Sequence, residues 1–193
     1  MKFLEEMINK EGIINEDNVL CVDSFLNQKL DIELLNEMAN EWYELFKNEG
    51  ITKILTIEAA GIGLATATAL KFNVPVIYAK KEFTTKLPDN IYVSKIYSYA
   101  LKKSYYAYVK EDFIDEDDNI LILDDVVANG WAAEGIYDIC IQAGASVVGI
   151  GCAIEKVYQQ GGKRLRSKGI RVESLAKIEG IDLEQRKVIF SIE

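Results

Sequence analysis

The run Ile120-Leu121-Ile122-Leu123-Asp124-Asp125-Val126-Val127-Ala128-Asn129-Gly130-Trp131-Ala132 constrains this chain more than any other stretch of it. Asn119 to Leu123 is a short, fully apolar strand of the kind buried on both faces of a parallel sheet. Its carboxyl end delivers two acids, and a glycine turn at Gly130 then opens a helix that ends near Gly144. Parallel neighbours require crossover connections, and the same order recurs along the chain. Ile51 to Ile57 is rich in β-branched residues and leads through Glu58-Ala59-Ala60-Gly61 into a small-residue helix that runs to Leu70. Val74 to Ala79 reads as the next strand, and Ser146 to Ile154 as another buried one. Such alternation predicts an α/β fold with a doubly wound, mainly parallel sheet flanked by helices.

From Asp31 to Lys47, Leu35, Met38, Trp42 and Leu45 recur at three- and four-residue spacing, which predicts an amphipathic helix with Asp31 as N-cap and Gly50 beyond its end. Between Lys80 and Lys110 the chain turns rich in Tyr, Lys and Ser, with Tyr92, Tyr97, Tyr99, Tyr105, Tyr106 and Tyr108, and reads as an antiparallel excursion. The acidic stretch Glu111 to Asp118 reads as a solvated turn. With 193 residues, no fixed-period repeat and only Pro75 and Pro88 as prolines, the chain is expected to form one domain over 1–193.

Composition narrows the chemistry. There is no histidine, which removes Ser-His-Asp and Cys-His nucleophile systems together with His-ligated zinc. Cys21, Cys140 and Cys152 lie far apart in apolar company and read as reduced core thiols. A net charge of −9 opposes sequence-independent nucleic-acid binding, which depends on a basic face. It leaves open a phosphate pocket made of backbone amides. No apolar run approaches the roughly 20 residues of a membrane span, and Met1 to Glu11 mixes charged with apolar residues instead of carrying a secretory apolar core. A cytosolic protein without membrane or nucleic-acid partners is expected.

In open α/β sheets ligands bind at the carboxyl ends of strands. The helix after Gly130 would aim free amides and the positive end of its dipole at that turn, which suits a phosphate. Asp124 and Asp125 repel a phosphate but accept hydrogen bonds from two sugar hydroxyls. The run is therefore suited to a sugar phosphate.

This run of apolar strand, paired acids, two apolar residues and a small-residue loop around glycine resembles the phosphoribosyl pyrophosphate (PRPP) signature of type I phosphoribosyltransferases. The resemblance extends to Val19-Leu20-Cys21-Val22-Asp23-Ser24-Phe25-Leu26-Asn27, to the Ala128-Asn129-Gly130 loop and to Ile154-Glu155-Lys156, as in the bacterial xanthine-using branch of that family. It implies that Asp124 and Asp125 hold the ribose hydroxyls, that Ala128, Asn129, Gly130, Trp131 and Ala132 cradle the 5-phosphate, and that Leu20, Asn27 and Lys156 contact the base. It further implies that the turn at Ala59, Ala60 and Gly61 meets the pyrophosphate, aided by Lys80 and Lys81. Mg2+ would travel with PRPP, no residue being assigned as metal ligand or as general base. A hood from the N-terminal and C-terminal segments, a mobile loop at about 81–106 and a homodimer are implied in the same way. The chain departs from the pattern in two respects: Ala128 and Ala132 stand where many members' loops have threonine, and Trp131 stands where glutamine is usual.

Lys156, a pure donor, favours a 6-oxo purine over adenine. Asn27 can turn its amide donor to the 2-oxo group of xanthine, and a flip lets it accept from the 2-amino group of guanine, so the residues leave a guanine or hypoxanthine transferase open. A PRPP-sensing regulator built on the same fold is the alternative from another class.

Overall fold

A computed structural model describes residues 1–16, 19–98 and 102–191. The helices are α1 (Lys2–Glu11), α2 (Ile32–Phe46), α3 (Gly61–Phe72), α4 (Trp131–Gln142) and α5 (Gly161–Ser167). The strands are β1 (Ile13–Ile14), β2 (Leu20–Cys21), β3 (Lys53–Ile57), β4 (Val76–Glu82), β5 (Ile91–Ser98), β6 (Lys103–Lys110), β7 (Asn119–Val127), β8 (Ser146–Lys156), β9 (Val172–Asp182) and β10 (Lys187–Phe190). Among the described residues no helix is long and apolar enough to cross a membrane.

The main sheet has the order β10-β9-β8-β7-β3-β4-β6-β5. From β9 through β8, β7 and β3 to β4 every pairing is parallel, and β10, β6 and β5 add antiparallel edges. Alternation along β7 explains how it is covered twice: Leu121 and Leu123 enter the core beneath α2 and α3, while Ile120 and Ile122 enter the core beneath α4. Each such fully buried side chain contributes about 1.5–3 kcal/mol relative to exposure. α2 is capped by Asp31, whose carboxylate accepts from Leu34 N at 3.0 Å. β1 and β2 form a separate antiparallel pair ahead of the sheet.

Several sequence-based boundaries shift. β7 continues beyond Leu123 to Val127, so the paired acids sit on the strand itself, held there by pairing of Asp124 with Cys152 and of Val127 with Glu155 on β8. β4 begins at Val76 and runs to Glu82, because β6 pairs with it from Lys80 to Glu82. Lys80 and Lys81 are thus strand residues. On α2 the buried stripe runs through Met38, Trp42 and Phe46, and Leu45 is 39% exposed, since 46 and not 45 lies four residues after 42. The acidic stretch is not wholly solvated: Asp118 is buried, pairs with Lys53 at 2.6 Å and accepts from Thr52 Oγ1 at 2.7 Å. The Tyr-rich excursion is a hairpin of β5 and β6 with Tyr105, Ala107 and Val109 turned inward. Tyr99 and the tip of the expected mobile loop, 99–101, lie outside the described residues.

Candidate active site

β3 is flanked by β7 on one side and β4 on the other, so this is where the strand order reverses. The connection leaving β3 runs into α3 over one face of the sheet, and that leaving β7 runs into α4 over the other. Crossovers that part in this way open a crevice beyond the carboxyl ends of the two strands. The two glycine turns singled out in the sequence end up side by side for this reason.

The β7–α4 turn lines a cavity of about 360 Å³ together with Asp124, Tyr105, Lys156 and Gln159, and all of Ala128, Asn129, Gly130, Trp131 and Ala132 contribute to its wall. Gly130 has φ +75°, a left-handed conformation that glycine adopts without a Cβ penalty. No side chain caps α4. Its first amides therefore remain donors for an anion, with the helix dipole behind them.

Asp124 forms part of the same wall and is nearly fully buried. Burial pushes its carboxyl well above the usual aspartate range, the charge of Asp125 pushes the same way, and the ammonium of Lys81 pulls it back. Folding thus favours neutral Asp124. The associated stability is fully present below the ordinary aspartate range and is lost as pH rises through the raised value. Hydrogen-bond donors placed against this carboxylate favour its charged form. The two acids are also tied locally, Asp125 N donating to Asp124 Oδ1 at 3.0 Å.

At the β3–α3 turn Gly61 packs so closely that a Cβ would lie 2.0 Å from Thr56 Oγ1. α3 likewise has no side-chain cap over Ala59, Ala60 and Gly61. Glu58 Oε1 accepts from Lys81 N at 2.6 Å, which ties this turn to β4. Alternation on β4 separates the two lysines. Lys81 has its ammonium 5.6 Å from the ring centroid of Tyr105, on the side of Asp124. Lys80 lines a different groove, of about 640 Å³, between the parting ends of β4 and β6. The structure keeps Lys81 with the site and sends Lys80 away from it.

Lys156, the last residue of β8, lines the same cavity. Burial lowers its pKa, partly opposed by Cys21 and Asp125. Leu20 is buried on β2, with Val19 rather than Leu20 reaching the cavity wall. Asn27 closes a π-helical turn from Asp23, is exposed, and donates from Nδ2 to Asp23 Oδ1 at 3.4 Å.

Residue patterns alone did not point to Tyr105 or Arg164. Tyr105 is buried in the cavity wall, and burial with the nearby Asp124 charge pushes its phenol up to about 12; its inward phase on β6 was the available signal. Arg164, on α5, bonds the carbonyl of Asn129 at 2.9 Å, a contact over 35 residues that leaves no local trace. Among the described residues no group of three or more His, Cys, Asp or Glu converges as a metal-ligating set.

No family model matches the chain. The fold is that of adenine phosphoribosyltransferases: the Rhodothermus marinus structure superposes with TM-score 0.76 at 24% identity, covering 92% of this chain and 100% of that one. The Trypanosoma brucei structure gives TM-score 0.75 at 19% identity, with 90% and 79% covered. Sequence relatives are nearer. The xanthine phosphoribosyltransferase of Finegoldia magna is 48% identical over 180 residues, 93% of this chain and 95% of the relative. That of Lachnoclostridium phytofermentans is 47% identical over 190 residues, 98% of each, and that of Lacticaseibacillus casei is 45% identical over 193 residues, the full length of both. With such identity across nearly all of both partners, and with the cavity described above, the chain belongs to the xanthine phosphoribosyltransferase family.

Proposed function

We propose that this chain joins xanthine to the ribose 5-phosphate of PRPP, forming xanthosine 5′-monophosphate (XMP) and releasing pyrophosphate in purine salvage. The observation that carries the reading is a single cavity whose wall combines an amide-rich turn, a buried carboxylate and Lys156, in a chain whose full-length relatives are xanthine phosphoribosyltransferases.

The uncapped start of α4 fixes the 5-phosphate and so orients the ribose, while Asp124 and Asp125 accept from its hydroxyls. The turn before α3, with Lys81, faces the leaving pyrophosphate and stabilises charge as it develops. Lys156 donates to the 6-oxo group, and Leu20 and Asn27 complete the base end. The base nitrogen attacks the anomeric carbon as pyrophosphate leaves with inversion. No covalent enzyme intermediate is involved.

Mg2+ is proposed as the counter-ion brought by PRPP. A pair of carboxylates beside a phosphate site suits it, since Mg2+ is commonly held by one or two carboxylates and substrate phosphates. When bound it neutralises charge on the pyrophosphate. The segment about 81–106 would serve as a mobile cover, with the β1–β2 pair and the C-terminal part forming the hood. A homodimer is proposed, and the apolar groove containing Tyr78 and Phe113 is the surface that such pairing would cover. The three free thiols suit a reducing cytosol.

One observation bears on guanine as a second reading: Asn27 Nδ2 donates to Asp23, and in that orientation its amide oxygen is the group that accepts from a 2-amino group. Pyrophosphate release with PRPP, Mg2+ and each of xanthine, guanine, hypoxanthine and adenine in parallel separates the readings. Preference for xanthine is expected. Preference for guanine keeps the PRPP end and overturns the base end, and silence with all four favours a PRPP-sensing regulator.

A further inference from the structure

α5 lies directly against the phosphate-binding turn, backbone on backbone. Gly161 N donates to Ala128 O at 3.0 Å. A Cβ on Gly161 would lie 2.2 Å from Ala128 O and 2.5 Å from Gly130 N, so the helix can dock this closely only with glycine there. Two arginines then fasten it in opposite directions. Arg166 makes a bidentate pair with the buried Glu155 on β8, both contacts at 2.8 Å, and adds a bond to Val172 O at 3.1 Å. Arg164 points to the turn. Its Nη2 donates to Asn129 O at 2.9 Å, its Nη1 pairs with Glu134 in the first turn of α4 at 2.7 Å, and its guanidinium stacks 3.7 Å over the Trp131 ring.

The bond to Asn129 O controls which way an amide faces. In a trans peptide the carbonyl and the following N–H point in opposite directions. Holding Asn129 O towards Arg164 therefore turns Gly130 N–H away from Arg164, and Gly130 lines the cavity while Arg164 does not. Glycine tolerates both signs of φ, so without a clamp this peptide is free to flip and present a carbonyl to the phosphate. The stack on Trp131 and the pair with Glu134 hold the next residues of the same cradle.

We propose that Arg164 is a positioning residue for the PRPP phosphate: it sets the orientation of the Asn129–Gly130 peptide and the seat of Trp131 without touching substrate. Trp131 belongs to the same device, because its indole offers the flat surface on which the guanidinium stacks. The inference rests on the PRPP reading of the cavity.

The test is steady-state kinetics of Arg164→Ala, Arg164→Lys and Glu134→Gln, varying PRPP at saturating xanthine and the reverse. For Arg164→Ala, KM for PRPP should rise about tenfold, as expected for loss of a hydrogen bond from a charged donor, with kcat and KM for xanthine within about twofold. Arg164→Lys keeps the charge but loses the planar fork, and should recover less than half of the loss. Glu134→Gln, milder and expected to fold if the alanine variant does not, should shift KM for PRPP alone in the same direction. In a cycle with Trp131→Gln the two effects should be less than additive. An unchanged KM for PRPP in both Arg164→Ala and Glu134→Gln, or an equal rise for both substrates, overturns the proposal while leaving the PRPP reading intact. Absence of PRPP turnover by the unaltered enzyme overturns both.

Discussion

Two parts of the cavity wall are built by opposite means. The part proposed to hold the phosphate, here called the phosphate end, comes from one continuous stretch, Asp124 to Ala132, in which a strand end, a left-handed glycine and an uncapped helix offer backbone donors. The part proposed to hold the base, here called the base end, gathers Val19 from beside β2, Lys156 from β8 and Gln159 from the turn after it, and offers side chains. Backbone geometry tolerates side-chain exchange, which is consistent with alanines at 128 and 132. A pocket made of side chains depends on the identity of each.

Substitutions that load one end and spare the other sharpen this contrast. The largest effect is expected for Asp125→Asn at the phosphate end: kcat/KM for PRPP should fall about a hundredfold, the upper range for a hydrogen bond to a charged group, with the melting temperature retained. Unchanged kinetics would refute the ribose role.

At the base end Lys156→Gln should reduce the preference for xanthine over adenine about 10- to 100-fold with KM for PRPP preserved, in line with one buried partner lost. The same lysine gives a pH signature. Its ammonium is the proposed donor and burial lowers its pKa, so kcat/KM for xanthine should decline on the alkaline side before the ordinary lysine range is reached. Stability moves the other way there, because between the lowered and the ordinary pKa the unfolded chain binds more protons and folding gains as pH rises. The alkaline decline should vanish in Lys156→Gln, and its persistence would assign it elsewhere.

Asn27→Ala should cost xanthine about tenfold or less, since Asn27 is exposed and its present bond to Asp23 is long. An equal loss with every purine would reduce it to support for its turn. The smallest effect is expected for Ala132→Thr, where an added hydroxyl should lower KM for PRPP about two- to tenfold if it finds the phosphate. A rise instead would mean the amide cradle has no room for it.

The same contrast explains what the sequence disclosed. The mainly parallel sheet and the two strand-glycine-helix turns were legible because they depend on local signals: apolar runs, glycine turns and small-residue helices. The extension of β7 to Val127 was not, because pairing with β8 sets it. Lys80 and Lys81 looked equivalent as neighbours, and only the strand phase imposed by β6 separates them. Arg164 reaches the site across the fold, where no periodicity marks it, and Tyr105 is marked only by its inward phase on β6. Leu20 and Asn27 entered through family resemblance, and the cavity wall contains Val19, the chain neighbour of Leu20, and neither of the two.

The central claim is most directly tested by competition: PRPP and Mg2+ supplied with equimolar xanthine, guanine, hypoxanthine and adenine, and the nucleotide products resolved by mass. XMP should dominate, and a product mixture dominated by GMP, IMP or AMP would contradict the account.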